Sequence, residues 1–176
     1  MRLTPRGLWM RGRVLPVEIG RGGLSEDKHE GDGATPVGTL RIVGMRYRAD
    51  RIAAPAAWAI PIGPRDLWCD ASGHPAYNQQ VRAPFPASHE ILRRADPLYD
   101  IILLTSWNYP QAEDGKGSAI FLHQRRRAGF PTAGCLAFRR DHLIWLAQNV
   151  EQGETLVIPP LACYPHRHTA KPRDKA

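Results

Sequence analysis

Long apolar runs are missing from these 176 residues. The longest, "IAAPAAWAIPI", is interrupted by two prolines and falls short of the roughly 20 apolar residues that span a bilayer. No membrane-crossing helix is expected. Met1 to Gly22 carries Arg and Pro throughout, without the apolar core of about 7–15 residues that marks a secretory leader, so none is read there. Cysteine is scarce as well. The three present, at 69, 135 and 163, allow at most one disulfide and leave one thiol over. No glycine pattern fits a dinucleotide fingerprint or a phosphate loop ending in Gly-Lys-Ser/Thr. Zinc-finger spacing, an RNA-binding aromatic signature and a basic coiled-coil region are also absent, so the common nucleic-acid modules are set aside. No internal repeat is visible.

Proline and glycine, at 16 each, are plentiful and divide the chain into short pieces. Short strands and turns suit that punctuation better than a helical bundle. Hydrophobic residues make up 43%, as in an ordinary globular domain. Lys and Arg outnumber Asp and Glu by 24 to 17, giving a net charge of +7. Basic groups recur at Arg93-Arg94, Arg125 to Arg127, Arg139-Arg140 and from His166 to Lys175. Such a surface attracts polyanions, including acidic cell-wall polymer.

The pattern predicts one domain over residues 1–162 and a basic, disordered tail over 163–176. "LWMRGRVLPVEIGRGG" reads as strand and turn, "EGDGATPVG" as a glycine-rich loop, and "TLRIVGM" as a strand. Residues 50–90 show no clean period and are expected to form an ordered loop over the sheet. "SHEILRRAD" reads as a short helix capped by Ser88. "YDIILLTSWNY" is a buried strand, and "SAIFLH" a strand with Ala119, Phe121 and His123 on one face. "DHLIWLAQNV" is a helix with Leu143, Leu146, Ala147 and Val150 on one stripe, and "TLVI" a last strand. The fold expected is mainly antiparallel β, a sandwich or barrel-like sheet with one or two helices.

The chemistry concentrates in "SAIFLHQRRRAGFPTAGC". His123 ends a strand, and Cys135 follows after eleven residues that include Pro131 and Gly134. A cysteine nucleophile needs an imidazole to take its proton, N–H groups for the oxyanion, and a group that fixes the imidazole tautomer. Gly134, lacking a Cβ, lets a carbonyl approach the N–H groups of residues 134 and 135. The loop arginines are expected to favour thiolate. On the residues alone, Cys135 as core packing and Cys135 as nucleophile both stand. Metal binding is a lesser alternative. "CYPHRH" offers Cys163, His166 and His168 to zinc or nickel, and Cys69, Asp70 and His74 form a second loose group.

"EGDGATPVGTL", then "SAIFLH", then "PTAGCLAF", a helix and a closing "GETLVI" strand together resemble the L,D-transpeptidase catalytic-domain family, of the YkuD type. The resemblance runs from Val17 to Ile158 and implies that family's β fold. Its signature, a histidine and then Ser/Thr-x-Gly-Cys, falls on His123 and on Thr132-Ala133-Gly134-Cys135. The resemblance implies Cys135 as the acylated nucleophile, His123 as its base, Gly134 in the oxyanion hole, and a backbone carbonyl orienting the histidine. "LWCDASGHPAYN" resembles a segment of the short, single-domain branch, which implies Trp68, Asp70, Tyr77 and Asn78 around the substrate groove.

Better-known members carry His at the place of Ala133 and Arg or Asn at the place of Ala137. Arg125, Arg126, Arg127 or Arg139 is expected to supply the replacement charge, and Arg125 with Thr132 and Ala133 to contact substrate. The family activity implied is cross-linking of peptidoglycan stem peptides in the periplasm through a cysteine thioester. The link is 3-3 or a variant such as 1-3, no metal or organic cofactor takes part, and a carbapenem is expected to acylate Cys135. An L,D-carboxypeptidase on the same fold and a non-catalytic wall-binding module are the alternatives.

Overall fold

A computed structural model describes residues 1–160. The chain opens with β1 (Arg2–Thr4), β2 (Gly7–Met10), β3 (Arg13–Leu15) and β4 (Val17–Glu18). β5 (Leu24–Ser25) and β6 (Thr35–Pro36) form a short parallel pair, and β7 (Gly38–Tyr47) is the longest strand among the described residues. β8 (Ile60–Pro61), β9 (Asp66–Cys69), β10 (Gln80–Arg82) and β11 (His89–Ile91) follow. A 3-10 turn (Pro97–Tyr99) leads into β12 (Ile101–Thr105), then β13 (Phe121–Gln124) and β14 (Leu136–Phe138). α1 (Arg140–Asn149) and β15 (Thr155–Ile158) complete the chain.

The main sheet runs β3-β2-β1-β15-β7-β12-β13-β14-β4, with β8 on the side of β7. Its two end strands, β3 and β4, are consecutive pieces of chain joined through Pro16, so the sheet curls back on itself into a nearly closed barrel. Proline lacks an N–H to place in a ladder, which suits it to that corner. The mainly β, barrel-like expectation holds. Pairing is largely antiparallel, but β13–β14, β1–β15 and β7–β8 are parallel.

Two apolar clusters sit on opposite faces of the central strands. Along β12, Ile101 and Leu103 join the larger cluster, and Ile102 and Leu104 join the smaller one. This is the two-residue alternation of a strand. The larger cluster is aliphatic apart from Phe138 and includes Leu143, Leu146, Ala147 and Val150, the stripe expected of the helix. The two leucines and Val150 each contribute about 1.5–3 kcal/mol when fully buried, which is how a ten-residue helix too short to stand alone is held in place. The smaller cluster mixes aliphatic residues with the aromatic Trp68, Tyr99 and Phe121, and Cys135 packs against it.

Residues 50–90 differ from expectation. They contain a three-stranded sheet, β10-β9-β11, rather than only a loop. All four residues of β9 are buried, so the strand shows no polar alternation to read. "SHEILRRAD" is not a helix. Its His89, Glu90 and Ile91 pair with Cys69, Trp68 and Leu67 of β9. A nine-residue helix is marginal in water, and ladder pairing outweighs its local propensity. "SAIFLH" becomes a strand only from Phe121, but Ala119, Phe121 and His123 do lie on the same side. The expected tail, 163–176, lies outside the described residues.

Candidate active site

β13 and β14 run parallel, with His123 beside Ala137. The crossover between them carries "QRRRAGFPTAG" and returns the chain at Cys135, immediately before β14. Several bonds hold that return in place. Thr132 accepts from the Gly134 N–H at 3.1 Å and donates its hydroxyl to the Cys135 carbonyl at 2.6 Å. From the "ATPVG" loop, the buried Thr35 hydroxyl donates to the Gly134 carbonyl at 2.8 Å and accepts from Gly20 N–H. Two motifs about a hundred residues apart in sequence are thus parts of one turn. Gly134 has φ +141°, and a Cβ there would sit 2.9 Å from the Ala34 carbonyl oxygen. Only glycine fits without movement.

Cys135 is half-buried and His123 is 8% exposed. Both open on one cleft of about 220 Å³. His123 Nδ1 lies 2.8 Å from the carbonyl oxygen of Gln124. A carbonyl only accepts, so Nδ1 carries the proton and the neutral ring leaves Nε2 bare. Gln124 supplies the orienting carbonyl that the family resemblance implied. Burial holds the imidazole down at about 4, opposed by the Gln124 bond and helped by Arg94.

The thiol donates to the Ala119 carbonyl at 3.0 Å and accepts from Phe121 N–H at 3.4 Å. Burial first, and then the charge of Glu90, push it up to about 12. The expectation of a resting thiolate favoured by loop arginines is therefore corrected. Among the described residues, Cys135 makes no hydrogen bond to His123, and the cation acting on it is Lys28. Arg125 is bound to Glu18 at 3.3 Å, and Arg126 and Arg127 sit over the Phe130 ring. In this state the pair is neutral thiol and neutral imidazole.

Gly134 N–H, expected in the oxyanion hole, is already committed to Thr132. Of the residues expected to contact substrate, Thr132 and Ala133 line the cleft; Arg125 does not, because Glu18 holds it and also takes the Gly129 N–H. Trp68, Asp70, Tyr77 and Asn78 are likewise not among the cleft lining. Trp68 and Asn78 are buried behind it. Trp68 Nε1–H donates to Asn78 Oδ1 at 2.9 Å, and that oxygen also accepts Ala119 N–H at 3.0 Å. Ala119 has φ +52°, uncommon for a residue with a Cβ, and its carbonyl accepts the hydrogen bond from the thiol. Asn78 therefore positions the residue that holds Cys135. Tyr77 donates to Glu30 at 2.5 Å and lines a separate hollow with His74 and Asp114. Asp70 Oδ1 is buried without a hydrogen bond.

Sequence reasoning missed Arg21, Glu90 and Tyr99, which line the cleft; Arg126 also lines it. Glu90 was hidden by the helical reading of residues 88–96, and Tyr99 by its reading as the start of a buried strand, whereas it ends the 3-10 turn. Asp96 caps the 3-10 turn by accepting Leu98 N–H, and Arg94 chelates Asp96 at 2.9 and 2.6 Å. This fixes Tyr99, whose ring meets His123 edge-on at 5.3 Å and whose hydroxyl donates to Glu90.

Among the described residues, no three His, Cys, Asp or Glu side chains converge on a metal position. Cys69 is buried in β9, and His74 Nδ1 accepts Ala76 N–H. Cys163, His166 and His168 lie outside the described residues. No helix among the described residues is long and apolar enough to cross a membrane. The family described as L,D-transpeptidase catalytic domain (YkuD) matches residues 6–158. No curated protein and no solved structure matches.

Proposed function

This chain belongs to the L,D-transpeptidase catalytic-domain family, and from that premise we propose that Cys135 is the acyl-accepting nucleophile and His123 its proton acceptor. The observation that carries the reading is the shared cleft of Cys135 and a buried His123 whose Nδ1–H is spent on Gln124, leaving Nε2 as the ring's acceptor. Since thiol and imidazole are both neutral at rest, the proton leaves sulfur as sulfur attacks.

The substrate is a peptidoglycan stem peptide, in keeping with the family and with a cleft that presents Arg21 to a carboxylate-bearing chain. Cys135 Sγ bonds to the amide carbonyl carbon of an L-centre, and its proton passes to His123 Nε2. With Gly134 N–H engaged, the Cys135 N–H is the oxyanion donor assigned to the turn. The C–N bond breaks, the leaving amine takes the proton from His123, and a thioester remains on Cys135. An acceptor amine resolves it to a 3-3 or 1-3 cross-link. The reaction belongs outside the cytoplasm, where its substrate is.

Incubating the protein with purified sacculi and identifying the muropeptides by mass spectrometry tests this. New cross-linked species that vanish in Cys135→Ala are expected. Shortened stems alone would make the enzyme an L,D-carboxypeptidase, and an unchanged profile, or products persisting in the variant, would remove Cys135 from the chemistry. A mass adduct of a carbapenem on Cys135 is the companion result.

A further inference from the structure

Two clefts meet at His123. One contains Cys135; the other, about 450 Å³, is lined by Ile91 and Arg94 and does not include Cys135. Glu90, Leu98, Tyr99, His123 and Arg126 line both and form the wall between them. A transferase with a covalent intermediate needs room for a second substrate beside the acylated residue, and this arrangement provides it.

Glu90 stands out on that wall. The Tyr99 hydroxyl donates to its carboxylate, but among the described residues no cation forms a salt bridge with it. Arg94, the cation nearest in sequence, is spent on Asp96 and on the face of Tyr99. Asp70, with a buried unpartnered oxygen, lies close enough to raise the Glu90 carboxyl further, although burial is the main cause. An enclosed carboxylate without a counter-charge favours a ligand that brings one. Arg126, exposed on the same wall and paired with no carboxylate among the described residues, offers the opposite charge.

We propose that the second cleft is the acceptor site, where Glu90 binds the ammonium and Arg126 the carboxylate of a zwitterionic amino-acid centre. The proposal rests on the Cys135 assignment above. In the transfer step, the ammonium gives one proton to Glu90. The neutral amine then bonds to the acyl carbon, the C–S bond breaks, and a second amine proton reaches the Cys135 sulfur through His123. Glu90 afterwards releases its proton to solvent, so the products are an amide and the free thiol.

The test uses meso-diaminopimelic acid as the acceptor probe and cadaverine, the same chain without carboxylates, as the control. Enzyme acylated with a tetrapeptide muropeptide is mixed with each, and amide product is compared with hydrolysed product. In Glu90→Gln, which keeps an oxygen for Tyr99 but loses the charge, aminolysis is expected to fall roughly tenfold to a hundredfold more than acylation does. Arg126→Ala, a change at an exposed position, is expected to weaken the probe roughly tenfold and leave cadaverine unaffected. Aminolysis and acylation falling together in Glu90→Gln would make Glu90 a prop for His123 and overturn the proposal. So would Arg126→Ala treating both probes alike. Calorimetric binding of meso-diaminopimelic acid to unacylated enzyme reads the site separately. If no thioester forms on Cys135, the mechanism above falls, while lost affinity in Glu90→Gln still supports the site and equal affinity still refutes it.

Discussion

The two faces of the strands β12, β13 and β14 differ in almost everything except the backbone they share. On one face Ile101, Leu103, Leu122, Leu136 and Phe138 meet the helix in a cluster that is aliphatic apart from Phe138. On the other, Phe121 and Ile102 pack with Trp68 and Tyr99, and among them stand Cys135, His123 and Glu90. Because side chains alternate, each strand that places a reactive group on one side is anchored by an apolar neighbour on the other. His123 follows Leu122, and Cys135 precedes Leu136, both fully buried. The aliphatic face is held by shape and area alone. The reactive face depends on bonds in series, from Trp68 to Asn78 to Ala119 to the thiol. One face tolerates change by repacking; the other tolerates little, since a buried donor left unpaired costs more than the bond itself contributed.

Substitutions sharpen that contrast. Phe138→Ala, on the aliphatic face, should cost about 3–5 kcal/mol in denaturant unfolding, with turnover per folded molecule nearly kept. If turnover fell with little loss of stability, the faces would not be separable. Asn78→Ala leaves two buried donors, Trp68 Nε1–H and Ala119 N–H, without their acceptor, and should cost about 2–4 kcal/mol. It should also reduce acylation of Cys135 in the molecules that remain folded, because Ala119 loses its tether. A variant as reactive as the parent would break the proposed series.

The two faces should also differ in pH response. The folded His123 titrates at about 4 against an ordinary 6.5, so between these values the unfolded chain binds the extra proton. Stability therefore rises with pH across that window, by roughly 3 kcal/mol at about 1.4 kcal/mol per pH unit, and is lost again as pH falls through it. Cys135 acts at the other end. Its folded value near 12 against an ordinary 9 means the unfolded chain ionises first, so stability falls as pH rises above 9. Unfolding midpoints in urea from pH 4 to 10 should show a plateau between the two arms. His123→Gln should flatten the acid arm and Cys135→Ala the alkaline one; arms that persist would assign the titrations elsewhere. The smallest effect is expected at Arg125→Ala. Its bridge to Glu18 joins two groups each about 21% exposed, and such pairs contribute less than about 1 kcal/mol. A larger loss of activity would return Arg125 to the substrate.

Much of this was legible in the residues. Strand punctuation by Gly and Pro predicted a mainly β domain, and the 3.6-residue stripe of Leu143, Leu146, Ala147 and Val150 located the helix, because both are local signals. His123 and Cys135 were found through a motif whose spacing is short. The small sheet was not legible. β9 is buried throughout and carries no period, and β11 has a local pattern that imitates a helix until β9 pairs with it. Glu90 was lost with that strand, and Tyr99 with the 3-10 turn that was read as the start of β12.

By itself the sequence determined the class of fold and the family likeness, and it singled out His123 and Cys135 as the pair proposed for acyl transfer. Tertiary structure alone decided how they are held. It set the histidine tautomer through Gln124, kept the thiol neutral by burial, spent Arg125 on Glu18, and brought Glu90 beside His123. Protonation and charge pairing depend on what surrounds a group in space, and those neighbours come from distant parts of the chain. That is why "PTAGC" supplies the proposed nucleophile while Thr35, Asn78 and Ala119, all outside the motif, hold it in place.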